Sequence, residues 1–333
     1  MATLKEAEIR PQELFNKYLT LAARDAEVFF SNHDGFLKVA CPACGEKKQE
    51  PAFNKLGFSY VLCADCGSLY VSPRPPQERF DSFYRDGESV KFWATDFFKH
   101  TEAARREKMF RPRALILKEL LAKRPDSGGS FIDIGAGYGI FLEEVAALGK
   151  FKRVSGIEPG PALAEVCRGK GFEIVMKPVE AVKPAECQAD WMTAFEVLEH
   201  VFSPVEFLTA AGNLLKPGGS LLLTTLTVSG FDIQTLWEKS KSVFPPHHIN
   251  LMSTRGLRRL VERAGLLVED LSTPGELDVD IVANALAEDE SLPLSRFVST
   301  LVKSGEATRH DFQEFLKRHA LSSHVRVIAR KSA

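Results

Sequence analysis

The run Phe131-Ile-Asp-Ile-Gly135-Ala-Gly137-Tyr-Gly139-Ile-Phe141 constrains this chain more than any other stretch. Phe131, Ile132 and Ile134 read as a short buried strand, and the apolar residues after Gly139 open a helix. A strand that passes through glycines into a helix is a nucleotide-binding turn, because free amides at the helix start meet a backbone that a ligand can approach. Gly135 and Gly137 supply backbone angles or close approaches that a Cβ would block. The spacing then separates the cofactors. A dinucleotide fingerprint needs GxGxxG, but Ile140 stands at the third glycine position, and the Gly-Lys-Ser/Thr of a P-loop is missing.

The rest of the C-terminal half alternates strands and helices, the pattern of an α/β sheet. Arg153–Ile157 is the second strand, and Glu158 follows it at the carboxyl edge, where open α/β sheets bind ligands. An acid there can accept hydrogen bonds from both hydroxyls of a ribose. Phe172–Met176 is the third strand, followed by Pro178, Val179 and Glu180. The fourth, Asp190–Ala194, runs into Phe195-Glu196-Val197-Leu198-Glu199-His200, where His200 reads as a base or as a structural residue at a helix start. Leu214-Leu-Lys-Pro217-Gly-Gly219 should end a helix and turn into the fifth strand, Ser220–Leu226. Leu266–Leu271 and His324–Ala329 supply the last two strands. Between them, Ser272 to Ser323 has helical patterning and reads as a cap for acceptor selection or homodimer contacts.

Three motifs occur in order: D-x-G-x-G-x-G at Asp133–Gly139, V-L-E-H at Val197–His200 and L-K-P-G-G at Leu215–Gly219. Together they resemble the class I S-adenosylmethionine (SAM) dependent methyltransferases. The resemblance implies a Rossmann-like, mostly parallel sheet with its last strand antiparallel, and SAM as cofactor. It assigns Asp133, Gly135, Gly137 and Gly139 to the methionine part of SAM and Glu158 to the ribose. Val179 and Glu180 would face the adenine, and Glu196 joins the cofactor set. V-L-E-H resembles the branch that methylates quinones, sugars and other small molecules. Neither Asn/Asp-Pro-Pro-Tyr/Phe, the clamp for amide and exocyclic nitrogens, nor the Pro-Cys of cytosine C5 methylation follows the fourth strand.

The loop after the fifth strand carries Phe244-Pro-Pro-His247-His248-Ile-Asn250. In this fold that loop flanks the methyl acceptor. His247 and His248 are therefore candidates for deprotonating an acceptor hydroxyl, with His200 as a third, since imidazole titrates near neutrality. Ser253 reads as the N-cap of the next helix and Gly265 as its end.

The N-terminal part has a different logic. Pro11 to Phe30 has helical spacing within a helical segment at 1–35. Cys41-Pro-Ala-Cys44-Gly and Cys63-Ala-Asp-Cys66-Gly are separated by eighteen residues between Cys44 and Cys63. Two such knuckles on adjoining hairpins bring four thiolates together, the closed donor set of a structural zinc ion. This defines a zinc ribbon at 36–76, closed by the stiff Ser72-Pro-Arg-Pro-Pro76 segment. An aromatic-rich helical cap at 77–125 follows, in which Tyr84 or Trp93 could lid the acceptor pocket. Arg105–Leu121 then feeds the first strand through the joining loop Arg124–Gly129, and the catalytic domain occupies 126–333.

Composition excludes several classes. A formal net charge of −1 gives no global attraction to nucleic acid or anionic membrane. No apolar run reaches the roughly 18 residues of a spanning helix, and Met1-Ala-Thr-Leu-Lys-Glu is not a signal peptide. Four of six cysteines in C-x-x-C pairs fit a reducing, cytoplasmic setting. The expected activity is methyl transfer from SAM to the oxygen or carbon of a small-molecule or sugar acceptor, including nucleotide-linked sugars and polysaccharide precursors. An RNA methyltransferase guided by the ribbon, and a SAM-binding scaffold without turnover, stand as alternatives.

Overall fold

The computed structural model describes residues 4–124 and 128–333. The first three residues and positions 125–127 of the joining loop lie outside the described residues.

The chain begins with α1 (Glu6–Ile9) and α2 (Gln12–Phe30). The buried face of α2 is Phe15, Tyr18, Ala22, Asp25, Ala26 and Phe30, a helical stripe interrupted by one acid. Strands β1 (Gln49–Lys55), β2 (Phe58–Cys63) and β3 (Leu69–Val71) form the ribbon. Cys63 ends β2 as expected, but Cys41 and Cys44 lie in a turn before β1, with no strand leading into them. The first knuckle is thus held by its own turn bond, Gly45 N–H to the Cys41 carbonyl at 2.8 Å, and not by a hairpin. Helices α3 (Gln77–Asp86), α4 (Glu88–Phe92), α5 (Phe98–Arg105) and α6 (Arg111–Ala122) follow, with π-helical turns at Trp93–Phe97 and Arg106–Phe110.

The C-terminal half contributes β4 (Ser130–Ile134), α7 (Ile140–Ala147), β5 (Arg153–Ile157), α8 (Pro161–Gly169), β6 (Glu173–Val175), β7 (Ala189–Phe195), α9 (Pro204–Leu214) and β8 (Leu215–Leu226). After it come α10 (Phe231–Leu236), β9 (Asn250–Leu251), α11 (Thr254–Arg263), β10 (Leu266–Ser272), α12 (Asp278–Glu288), α13 (Arg296–Val302), α14 (Glu306–Arg318) and β11 (His324–Lys331). Seven strands run in the order β10-β11-β8-β7-β4-β5-β6. The pairs from β8 through β6 are parallel, and β11 is antiparallel to both neighbours. This is an α/β, Rossmann-like, mostly parallel sheet with a reversed last strand, as the resemblance implied.

Two boundaries differ from the sequence reading. Pro217 does not end a helix: α9 stops at Leu214, and β8 starts at Leu215 and carries the glycines within it, with Gly218 at φ +75°. A register shift between Ala189 and Trp191 on β7 absorbs the irregular start. Val197–His200 is a turn, not a helix start, since α9 begins at Pro204.

The ribbon is not a separate bead. Its sheet has four strands, β1-β2-β3-β9, and β9 comes from the loop after β8. Cys41, Cys63, Cys66 and Tyr70 share one buried cluster with Ile134, Met192 and Leu223 of the large sheet and Leu257 and Leu260 of α11. The insertion at 272–323 folds as α12–α14 and closes on the N-terminus: the Glu6 N–H donates to Asp280 at 2.9 Å, and Asn284 donates to Glu6 at 3.0 Å. Among the described residues no helix is long and apolar enough to cross a membrane.

Candidate active site

Asp133 is on central strand β4, and the chain leaves that strand through Gly135, Gly137 and Gly139 at φ +73°, +54° and +70°. An L-residue in this region costs about 1–2 kcal/mol. Space adds a second constraint at Gly135, where a Cβ would meet Val197 Cγ2 at 2.7 Å. The glycine loop therefore packs under the turn that follows β7. Glu158, at the end of β5, is 6% exposed. Its two oxygens accept the Gly137 and Gly160 amides, each at 2.8 Å. Burial pushes its carboxyl above the usual range, while those two amides pull it back. Each oxygen keeps a lone pair, so a diol can still be bound by a carboxylate already fixed in place. Asp133 accepts the Thr193 hydroxyl at 2.5 Å, and burial raises its pKa to about 7.

Val179 and Glu180, assigned by resemblance to the adenine, are in a 3-10 turn. The Val179 side chain is buried in the main core, and Glu180 is exposed, lining a shallow hollow with Val205, Glu206 and Thr209 of α9. The Val179 side chain is thus packed in the core, and the Glu180 side chain lies beside α9.

Beyond β7 the polar groups converge. Glu196 has φ +54°, a conformation costing a non-glycine residue about 1–3 kcal/mol. It is held there by Arg113 of α6, Thr224 of β8 and His324 of β11, all within 2.8 Å of Oε1. Burial opposes its charge, but His324, Arg113 and the Thr224 hydroxyl hold its pKa well below the usual carboxylate range. Glu199 behaves oppositely. It is 1% exposed, accepts the Thr225 hydroxyl at 2.7 Å, and burial with the nearby Glu196 charge raises its pKa to about 8.

The three histidines predicted as bases do come together. The His200 ring lies 4.8 Å from His248 and 6.1 Å from His247, centroid to centroid. The metal-capable or proton-capable atoms of Glu199, His200 and His248 all lie within 4.8 Å of one another. Partners fix the tautomers. His248 Nδ1 is 2.7 Å from the Ser242 carbonyl, which can only accept, so Nδ1 carries the hydrogen and Nε2 carries the lone pair. His247 Nε2 is 3.0 Å from Ser89 Oγ, whose single hydrogen goes to Asp25 at 2.5 Å. His247 Nε2 must then donate, which leaves the lone pair on Nδ1. Burial lowers the pKa of His247 to about 3, of His248 to about 4, and of His200 well below neutrality. All three are neutral at pH 7.

Tyr84, one of the two predicted lid residues, is placed at this cluster: its hydroxyl is 3.4 Å from His200 Nδ1 and its ring packs on His247. Trp93 instead stacks on Phe97 and packs at a tilt against Tyr18, one layer back. Sequence reasoning missed Asp25, Ser89, Arg113 and His324 as contributors. Nothing local marks them, since Asp25 and Ser89 reach His247 from two separate helices. Glu199 lies within V-L-E-H, where the sequence alone does not show its burial beside the charge of Glu196.

The four cysteines form the second cluster. Cys41 and Cys66 Sγ atoms are 3.6 Å apart, and Cys44 and Cys63 are 3.5 Å apart. Tetrahedral zinc with 2.3 Å bonds needs sulfurs about 3.8 Å apart. The Cys66 amide points at Cys63 Sγ at 3.4 Å, as expected for a thiolate in a knuckle. The donor set fits structural zinc.

Comparison with known proteins gives the same reading. Residues 104–271, half of the chain, match the family described as a methyltransferase domain. The ubiquinone biosynthesis O-methyltransferase of Xanthomonas axonopodis pv. citri is 30% identical over 169 residues, which cover 47% of this chain and 70% of that protein. The enzyme of the same name from Nitrosococcus oceani is 38% identical over 107 residues, covering 30% of this chain and 44% of its own. In fold, the chain is similar to the plantazolicin methyltransferase BpumL, solved with SAH, with a TM-score of 0.50 and 12% identity over 76% of this chain and 94% of that one. With the glycine loop, the strand order and the family match all in agreement, the chain belongs to the class I SAM-dependent methyltransferases.

Proposed function

We propose that the chain transfers the SAM methyl group to a hydroxyl of a small molecule, with a sugar or nucleotide-linked sugar as the favoured acceptor. The observation that carries this reading is the pair of neutral histidines, His247 and His248, whose lone-pair nitrogens are fixed by Ser89 and Ser242, with His248 next to Glu199. A hydroxyl needs such an acceptor for its proton. Relatives named as O-methyltransferases support oxygen as the methylated atom. The ribbon placed ahead of this fold resembles sugar-modifying methyltransferases. Tyr84, packed on His247 and partly exposed, offers a ring against which a cyclic acceptor could lie.

In this reading Asp133, Gly135, Gly137, Gly139 and Glu158 hold the cofactor, with Glu196 setting the wall between cofactor and acceptor. SAM supplies an electron-poor methyl carbon bonded to a sulfonium. Most of the rate comes from alignment in a dry pocket. His248 Nε2 would take the hydroxyl proton as the methyl carbon leaves sulfur for the acceptor oxygen. Base assistance contributes about 10²–10⁴-fold when the pKa matches the working pH, and the lowered pKa of His248 puts it at the low end of that range. Glu199, protonated at neutral pH, keeps a second negative charge out of the site. The four thiolates hold zinc in a reducing, cytoplasmic setting.

The RNA-guided alternative has less support, because Arg255 and Arg259 beside the knuckles are paired with Asp65. The test is methyl transfer from labelled SAM into host-cell extract, fractionated into small molecules and glycans, RNA, and protein. Label in the small-molecule and glycan fraction is expected. Nuclease-sensitive label would overturn the acceptor class.

A further inference from the structure

The loop that carries His247 and His248 is fastened to the zinc knuckle. Immediately after His248, the Val71 amide of β3 donates to the Ile249 carbonyl at 3.0 Å, and Asn250 and Leu251 pair antiparallel with Tyr70 and Leu69. Tyr60 of β2, 1% exposed, donates its hydroxyl to the His248 carbonyl at 2.6 Å. Buried Arg74 closes on the Asn250 side chain. Past β9, the Ser253 amide donates to Ser68 Oγ at 3.0 Å, and Ser68 Oγ lies 3.2 Å from Cys66 Sγ. Ser253 Oγ in turn donates to the Cys66 carbonyl. The fit is close: a Cβ on Gly256 would come within 2.2 Å of Ser68 Oγ and 3.1 Å of Cys66 Sγ. On the other side, the Ile249 and Asn250 amides donate to the Glu199 carbonyl at 3.0 and 3.2 Å. The loop is thus suspended between a metal-ligand cysteine and the Val197–His200 turn. Among the described residues, the side chains of Asp133 and Glu158 are bonded to Thr193, Gly137 and Gly160, none of which belongs to the ribbon.

We propose that zinc is a positioning element for the acceptor half of the site: by fixing Cys63-Ala-Asp-Cys66-Gly-Ser68, it sets the register of β3 against β9 and so the placement of His247 and His248. The consequence is a separation of roles. Zinc governs methyl transfer and leaves cofactor binding alone. This rests on the reading of the histidine loop as the site of hydroxyl activation.

The test uses the full chain in three forms: parent, Cys63→Ser, and Ser68→Ala, which keeps all four sulfurs. Zinc content, SAM affinity, amide exchange across 242–256 and methyl transfer are measured on each. Zinc-free Cys63→Ser should keep SAM affinity within about threefold, and lose protection at Ile249, Asn250 and Ser253 together with about 100-fold or more in transfer. Ser68→Ala should retain zinc, loosen the same amides and lose about 10- to 100-fold in turnover, the range of supporting-shell changes at metal sites. Full protection of 249–253 in the zinc-free protein, or an unchanged loop in Ser68→Ala, would overturn the proposal. Loss of SAM binding along with zinc would overturn it too, since the ribbon would then support the whole fold. If the loop follows zinc but His247→Ala and His248→Ala both turn over normally, the positioning stands and the assignment of these histidines to the chemistry falls.

Discussion

Glu196 and Glu199, three residues apart in the turn after β7, are held in opposite ionisation states. Arg113 and His324 close on the first and keep it charged, while burial beside that charge keeps the second protonated up to about pH 8. Two carboxyls whose surroundings split their pKa values can take different roles in one site.

The split predicts unequal responses to amide substitution. Glu199→Gln replaces a protonated acid by its neutral isostere and should fold and turn over near the parent level at pH 7. Glu196→Gln leaves Arg113 without its counter-ion and should cost about 1–3 kcal/mol. Denaturant titration of the two variants distinguishes them; equal losses would contradict the assigned states.

The same group makes stability depend on pH. The folded pKa of Glu199 is raised to about 8 from 4.5, so the folded state holds this proton more tightly. Its contribution is complete below pH 4.5, erodes as pH rises between those values and is lost above about 8. The melting temperature of the parent should fall over this window more steeply than that of Glu199→Gln. Parallel curves would show that Glu199 is not the titrating group.

Cofactor affinity should carry its own pH signature. Without ligand, Asp133 is protonated below about pH 7, and binding the SAM ammonium requires the carboxylate. Affinity should therefore weaken by up to about tenfold per unit as pH falls below 7. Asp133→Asn should bind weakly at every pH with no such slope. Calorimetric titration between pH 5.5 and 8.5 reads both.

Glu158 tests the ribose assignment. Glu158→Ala removes two charge-assisted hydrogen bonds to a diol and frees the Gly137 and Gly160 amides, so SAM affinity should drop about 100-fold. Parent-like affinity would refute the cofactor geometry.

What was legible in the sequence was what depends on local backbone. Gly135, Gly137 and Gly139 announce their loop because their positive φ values leave few other residues possible. Glu158 follows from its place at the end of a strand, and Ser253 caps α11 as read, accepting the Gly256 amide at 2.9 Å. The paired knuckles were equally plain. What the sequence hid depends on long-range closure. The Asp25–Ser89–His247 chain joins three segments with no shared motif. The ionisation of Glu196 depends on Arg113, eighty-three positions upstream. The pairing of β3 with β9 involves a two-residue strand, too short for any periodic signal.

The most direct test of the account is a pair of measurements on His248→Ala: SAM affinity by calorimetry, and single-turnover methyl transfer to the acceptor found in the extract. Parent-like SAM binding is expected, with transfer slowed by about 100-fold, the low end for a base whose pKa lies below the working pH. Transfer at the parent rate would contradict it, and would leave the reaction to positioning without a base.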